Sequence, residues 1–243
     1  MKKIYFLLFL LSILFIFSSC LMKVLDLSVP EGIYVGYDGN NWLQTDDKTL
    51  IENSKFTYDE NLKLYKATID ASNIIFNEID NNGNKFNIGY YKVYYVKSDG
   101  NIVSDSIPIL KSAVTQNQIT VYLDLDKLEA GKAVGVGDDT KLNMNWYAAG
   151  TFNNWTPKQM NKMGDYFEIT INSSYNKGDN IEYKIPVSTT WMPWQMIYNG
   201  EVYSDSSQNQ KYTFKNNVTG FKIKFYSLIS YVEIEEIKVG DSQ

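Results

Sequence analysis

Along most of this chain apolar and polar residues alternate in short runs. No long stretch carries apolar residues at the i, i+3, i+4, i+7 spacing of an amphipathic helix. Residues 62–69 partly alternate, 90–96 are dense in β-branched and aromatic side chains, and 118–125 repeat the pattern. In the distal part, residues 166–171, 221–225 and 231–237 do the same. Clusters of Asn, Gly and Asp separate these runs, so the pattern predicts an all-β chain of short strands folded as sandwiches. The 19 Tyr and 12 Phe suit pleated, half-buried surfaces, and most are expected in the core or in cross-strand pairs.

One stretch interrupts the pattern. Residues 126–141 are rich in Gly and Asp and hold no aromatic side chain, which reads as a linker over 127–141 between domains at 29–126 and 142–240. The two halves share short words in the same order. Asn40-Asn41-Trp42 recurs as Asn153-Asn154-Trp155, each after a strand-like run, and Gly100 to Ser106 recurs as Gly200 to Ser206. The first half carries extra residues between its words, placed at 77–87, and two copies of one sandwich account for the repetition.

The N-terminus has a different character. Lys2 and Lys3 precede an apolar run from Ile4 to Phe17, broken only by Ser12, then Ser18-Ser19-Cys20. A run of this length is a signal-peptide core rather than a membrane span. The arrangement resembles a bacterial lipoprotein signal, in which the Cys is lipidated and becomes the new N-terminus. Phe17 stands where that signal usually has Leu. The resemblance implies a signal peptide over 1–19, lipidation at Cys20, a tether over 20–28 and a location in the cell envelope on a membrane surface. Acyl chains contribute about 0.8 kcal/mol per buried methylene, enough for two or more to anchor a protein. Cleavage removes Lys2 and Lys3 and takes the net charge from -5 to -7, so the body is repelled by anionic lipid.

Composition then narrows the chemistry. With 28 acidic residues against 23 basic ones, no basic face is offered to nucleic acid. The absence of His removes His-based triads and His-ligated metals, and all the basic residues are Lys, so no guanidinium fork is present. A single Cys leaves no internal disulfide and no multi-Cys metal site. Residues 78–83 mimic the start of a calcium loop, but its twelfth position is Gly89, and a hairpin turn is the better reading. No nucleophile-elbow, dinucleotide or phosphate-loop pattern occurs, and Glu235 and Glu236 are strand neighbours that point to opposite faces. No cofactor and no catalysis are expected.

The candidate chemistry lies at Ala149-Gly150-Thr151-Phe152-Asn153-Asn154-Trp155-Thr156-Pro157, where a strand ends in small residues and a polar turn leads to an indole. Gly164-Asp165 then turn into a second apolar strand. This segment resembles the glycogen- and starch-binding modules of carbohydrate-binding module family 48, whose strand, Gly-x-Phe-Asn-x-Trp turn and apolar strand follow in this order. The resemblance covers roughly the last 100 residues as one domain. It implies an immunoglobulin-like sandwich in the second half, which the internal repeat extends to the first, and a glucan site made of the turn Trp, a Lys on a later strand and a second Trp. In one register these are Trp155, Lys184 and Trp191, with Asn154 in the turn and Trp194 on the same loop as Trp191. In another, Asn199-Gly200 and Ser204-Asp205 match the family's hairpin, the second Trp position falls at Val202, and residues 191–194 are an insertion.

An indole offers a flat apolar plate to the C–H face of a pyranose, and Asn and Lys supply partners for its hydroxyl rim. Two Trp at an angle suit a curved α-1,4-glucan better than a flat β-glucan. Trp146, inside a strand pattern, is expected in the core. Trp42 marks a weaker second site, because Asp38-Gly39 replaces the Phe-containing turn and no second Trp follows before Trp146. Tyr90, Tyr91, Tyr94 and Tyr95 could stack on sugar, but alternation sends about half of them inward. The expected function is non-catalytic binding of an α-glucan or related oligosaccharide by a lipid-anchored protein. The alternative is a structural lipoprotein of the same fold that engages an envelope protein partner.

Overall fold

The computed structural model describes residues 31–37, 54–81, 83–191, 196–198, 200, 203 and 208–240. Cys20, Trp42 and Trp194 lie outside them, as do the signal peptide and tether. Among the described residues the chain is all-β, with only short 3-10 turns between strands. The first half contributes β1 (Gly32–Tyr37), β2 (Thr57–Asp59), β3 (Leu64–Asp70), β4 (Asn77–Asn81), β5 (Asn84–Val96), β6 (Ile102–Leu110), β7 (Gln118–Leu123) and β8 (Val136–Asp138). The second contributes β9 (Tyr147–Gly150), β10 (Lys158–Gln159), β11 (Asn161–Lys162), β12 (Phe167–Ile171), β13 (Asn180–Pro186), β14 (Ile197–Tyr198), β15 (Gln210–Thr213), β16 (Val218–Tyr226) and β17 (Tyr231–Lys238).

These strands form four antiparallel sheets, and no sheet mixes the halves. In the first half β5 pairs with β1, β4 and β6, and the other sheet runs β2-β3-β7-β8. In the second half β13 pairs with β9, β14 and β15, β10 borders β9, and the other sheet runs β11-β12-β16-β17. Four sheets of this size equal in number the blades of a propeller-like ring, so the strand count alone does not establish two immunoglobulin-like sandwiches. The β4–β5 hairpin occupies the stretch that resembled a calcium loop, and Asp80 Oδ1 accepts a bond from Gly83 N at 3.2 Å across its turn.

Alternation selects the buried face of each strand. Phe221, Ile223 and Phe225 of β16 face inward, while Lys222 and Lys224 face out and pair with Glu168 and Glu235. A single apolar cluster runs from Val35 and Tyr91 in the first half to Trp146, Phe214 and Phe225 in the second.

The 127–141 stretch, read as a linker or interdomain loop, is packed. Ala133 to Asp138 are buried, and β8 adds to the sheet beside β7. Its glycines mark close approach rather than looseness. A Cβ on Gly137 would stand 2.6 Å from the carbonyl oxygen of Leu228 and 2.8 Å from that of Ser227. Gly135 holds φ +80 against the backbone of Leu128. The residues that looked like a composition break are therefore the seam between the halves.

That seam is polar at its centre. Asp138 and Lys141 are fully buried and form an ion pair at 3.5 Å. Lys141 Nζ also donates to the carbonyl of Pro108 and lies 5.1 Å from the centre of the Tyr203 ring. Asp138 accepts from Tyr91 OH at 3.0 Å, from Thr140 N at 3.0 Å and from the Thr140 hydroxyl. Trp146, buried as expected, donates its Nε1 proton to Lys141 O at 3.0 Å and sets its indole edge-on to Phe225. Burial pulls the Lys141 ammonium below its ordinary range, and Asp138 opposes that shift.

Candidate functional site

The turn after β9 is built residue by residue. A Cβ on Gly150 would come 2.4 Å from Glu182 O and 2.6 Å from the Phe152 ring, so only glycine lets β13 and Phe152 close in. Phe152 turns back onto the core and meets Phe221 edge-on, with centroids 5.6 Å apart. Asn153 braces the turn from within. Its Oδ1 accepts from Gly150 N at 2.9 Å, and its Nδ2 donates to Ala148 O at 3.1 Å and Thr156 O at 2.8 Å. Asn154 and Trp155 then both take positive φ, 52° and 59°. Asn tolerates that region; an indole-bearing residue rarely enters it. Trp155 N donates to Gly150 O at 2.9 Å, which closes the turn. Asn154 is exposed and Trp155 is half-buried.

Lys184 sits on β13 opposite Ala149 of β9, one position along from the Tyr183–Gly150 pair. Ile181, Tyr183 and Ile185 face the core, which places Lys184 on the other face with Glu182. It is 9% exposed, so it is not the solvated Lys of an open strand. Trp191 follows the far end of β13, is half-buried and holds φ 48. Because β9 and β13 run antiparallel, Trp155 and Trp191 leave the pair at opposite ends, with Lys184 between. The exit levels at Tyr183 and Pro186 are about 10 Å apart at about 3.3 Å per residue.

Three polar residues on this face were not singled out from the sequence. Glu182 accepts from Asn209 Nδ2 at 2.9 Å and pairs with Lys211 at 3.2 Å. These contacts hold the Glu182 carboxyl below its usual range, the Asn209 bond being the larger cause. The signal for Asn209 and Lys211 is the short word at 209–213, whose last four residues become β15 and pair with β13. Four residues are too few to stand out without the partner strand. Gln210 of the same strand lies over Gly200, where a Cβ would overlap its side chain. The second register places its site at Val202 and Asp205, outside the described residues.

The first-half counterpart is built differently. With Gly36 matched to Gly150, Val35↔Val93 occupies the place of Ala149↔Lys184, so no Lys stands there. Tyr91 and Tyr95 point into the core with their hydroxyls on Asp138 and Asp105, and Tyr94 is also buried. Those phenols are framework, not platform. Glu235 and Glu236 do face opposite ways: Glu235 meets Lys224, and Glu236 accepts from Tyr212 OH, Lys215 N and Asn216 Nδ2.

Among the described residues no group of three His, Cys, Asp or Glu side chains is placed to hold a metal ion, and no helix is long and apolar enough to cross a membrane. No family model, curated protein or solved structure matches the chain.

Proposed function

We propose that this chain is a lipid-anchored envelope protein whose distal β-sandwich binds an α-glucan or related oligosaccharide without cleaving it. The observation that carries the reading is Trp155, half-exposed at φ 59 on a turn braced by three bonds from Asn153. Backbone strain of this kind costs about 1–3 kcal/mol and persists where surrounding contacts impose it, often at ligand sites. A braced turn presents the indole with little entropy left to lose on stacking. Asn154 in the turn, and Glu182 with Lys211 on the neighbouring strands, supply hydrogen-bonding groups.

Two immunoglobulin-like sandwiches fit the strand order better than a ring of blades. A propeller blade takes consecutive strands. Here β3 and β7 share a sheet while β4, β5 and β6 between them belong to another, and β12 and β16 repeat that switch. The repeated order β2-β3-β7-β8 and β11-β12-β16-β17 supports two copies of one domain.

Affinity electrophoresis through amylose or glycogen gel tests the binding reading. Retarded wild type with unretarded Trp155→Ala and Trp191→Ala supports it; free mobility of wild type on several glucans removes it. Replacing Cys20 by Ser tests the anchor, and membrane association that survives the change contradicts it. A structural lipoprotein that docks an envelope protein is the second reading. What favours it is the near-complete burial of Lys184, which leaves the sugar face less cationic reach than the resemblance implies.

A further inference from the structure

The seam that joins the halves leaves a half-open cleft of about 270 Å³ beside it. Gln116 and Gln118 line it from the first half, Asp139 and Asn143 from the 3-10 turn Asp139–Asn143, and Lys162 from β11. Ile119 and Leu142 form an apolar patch on its wall. Several of these side chains are already oriented by bonds that cross the seam or lock the turn. Asn143 Nδ2 donates to Ala113 O at 3.0 Å, Lys162 Nζ to Leu142 O at 2.6 Å, and Asp139 Oδ2 accepts from Thr120 N at 3.2 Å.

We propose that this cleft is a binding site for a small polyhydroxylated ligand of single-ring size. It lies apart from the Trp155 turn and does not rest on the reading of that turn. Ligand sites favour clefts between domains, and this volume falls just under the range of about 300–1,000 Å³ that suits drug-sized molecules. The lining selects by what it offers. A carboxylate only accepts, an ammonium only donates, and the two Gln amides do both. Hydroxyl groups, which donate and accept, match all three at once.

Other ligand classes meet an obstacle. A phosphate meets the Asp139 carboxylate, and the one ammonium of the lining, Lys162, already donates to Leu142 O. An organic cation meets Lys162. A flat aromatic ligand finds no ring on the wall. Burial raises the Asp139 carboxyl above its usual range, so a hydroxyl donated to it relieves a desolvated group.

The test uses the full chain in detergent carrying Trp155→Ala, so that stacking on the turn contributes nothing. Saturation-transfer NMR is run with glucose and myo-inositol, and with methyl phosphate and ethylamine as charged controls. The expected result is transfer to the polyols and not to the controls. Gln116→Trp, which fills the cleft from an exposed position, should abolish it. Gln118→Ala should weaken binding about ten-fold, the equivalent of 1.4 kcal/mol, with an unchanged melting curve. Polyol transfer that persists at full strength in Gln116→Trp, or transfer to the controls alone, overturns the assignment. A wild type that binds amylose while the Trp155→Ala chain shows no polyol transfer removes the cleft and leaves the turn.

Discussion

Asn153 shows how a sequence word can hold two jobs in one spelling. The repeated Asn-Asn-Trp was read for its Trp and its second Asn, yet the first Asn makes the three bonds that shape the turn. Asn153→Ala should lower stability by about 2–3 kcal/mol, since Gly150 N and two carbonyls lose their partner. Urea denaturation of the variant checks this, and a loss below ~0.5 kcal/mol would mean the turn stands without its brace. At this scale the turn itself was legible, whereas the roles of Gly150 in close approach, Phe152 in anchoring and Asn154 at positive φ come from the structure. What could not be read was how far Lys184 sinks, because its 9% exposure depends on elements outside its own strand.

Strands were the legible layer. The runs at 118–125, 166–171 and 231–237 became β7, β12 and β17 within a residue or two, because alternation and β-branched content agree there. At 127–141 the packing was not legible. Gly and Asp there serve backbone approach and buried hydrogen bonding, and composition alone cannot separate that from a loop.

Asp105 of β6 belongs to the same lesson. Its carboxylate accepts from Gly131 N at 3.1 Å, Ala133 N at 3.0 Å and Tyr95 OH at 2.7 Å, pinning the turn before β8 to its neighbour sheet. Burial raises its carboxyl above the usual range despite those bonds. Asp105→Ala should release this turn, and limited proteolysis of the native chain should then cut near Gly131. Unchanged protease resistance would assign the pinning to other contacts.

At the scale of the whole molecule the Asp138–Lys141 pair lies buried at the seam of the halves. Lys141→Met leaves Asp138 buried with only neutral partners and should cost about 3–5 kcal/mol. Adding Asp138→Asn should recover part of that loss, which paired urea titrations would show. A single variant as stable as wild type would place the cohesion in the apolar cluster alone.

High pH probes the same interior. Burial raises the phenols of Tyr91, Tyr95, Tyr183, Tyr198 and Tyr203 above their ordinary 10.0. The folded state holds their protons after the unfolded state has lost them. Their stabilisation is therefore complete below pH 10.0 and falls as pH climbs through the raised values. Lys141 works the other way, its cost easing as pH approaches its ordinary 10.5, but it is one group against five. Phenolate absorbance from the buried set should rise together with loss of near-ultraviolet circular dichroism; phenolate that appears while the fold persists would refute the order.

The glycine fit of β8 against Ser227 and Leu228 has a mechanical corollary. Two modules strung on a slack chain swivel, so each samples its own orientations and a pull on one is absorbed by the string. Here the backbone of β8 stands in close approach to that of Ser227 and Leu228, so a torque on one half reaches the other through the seam. On the proposed reading, a ligand held by the distal half would keep a fixed attitude to the proximal half and its anchor.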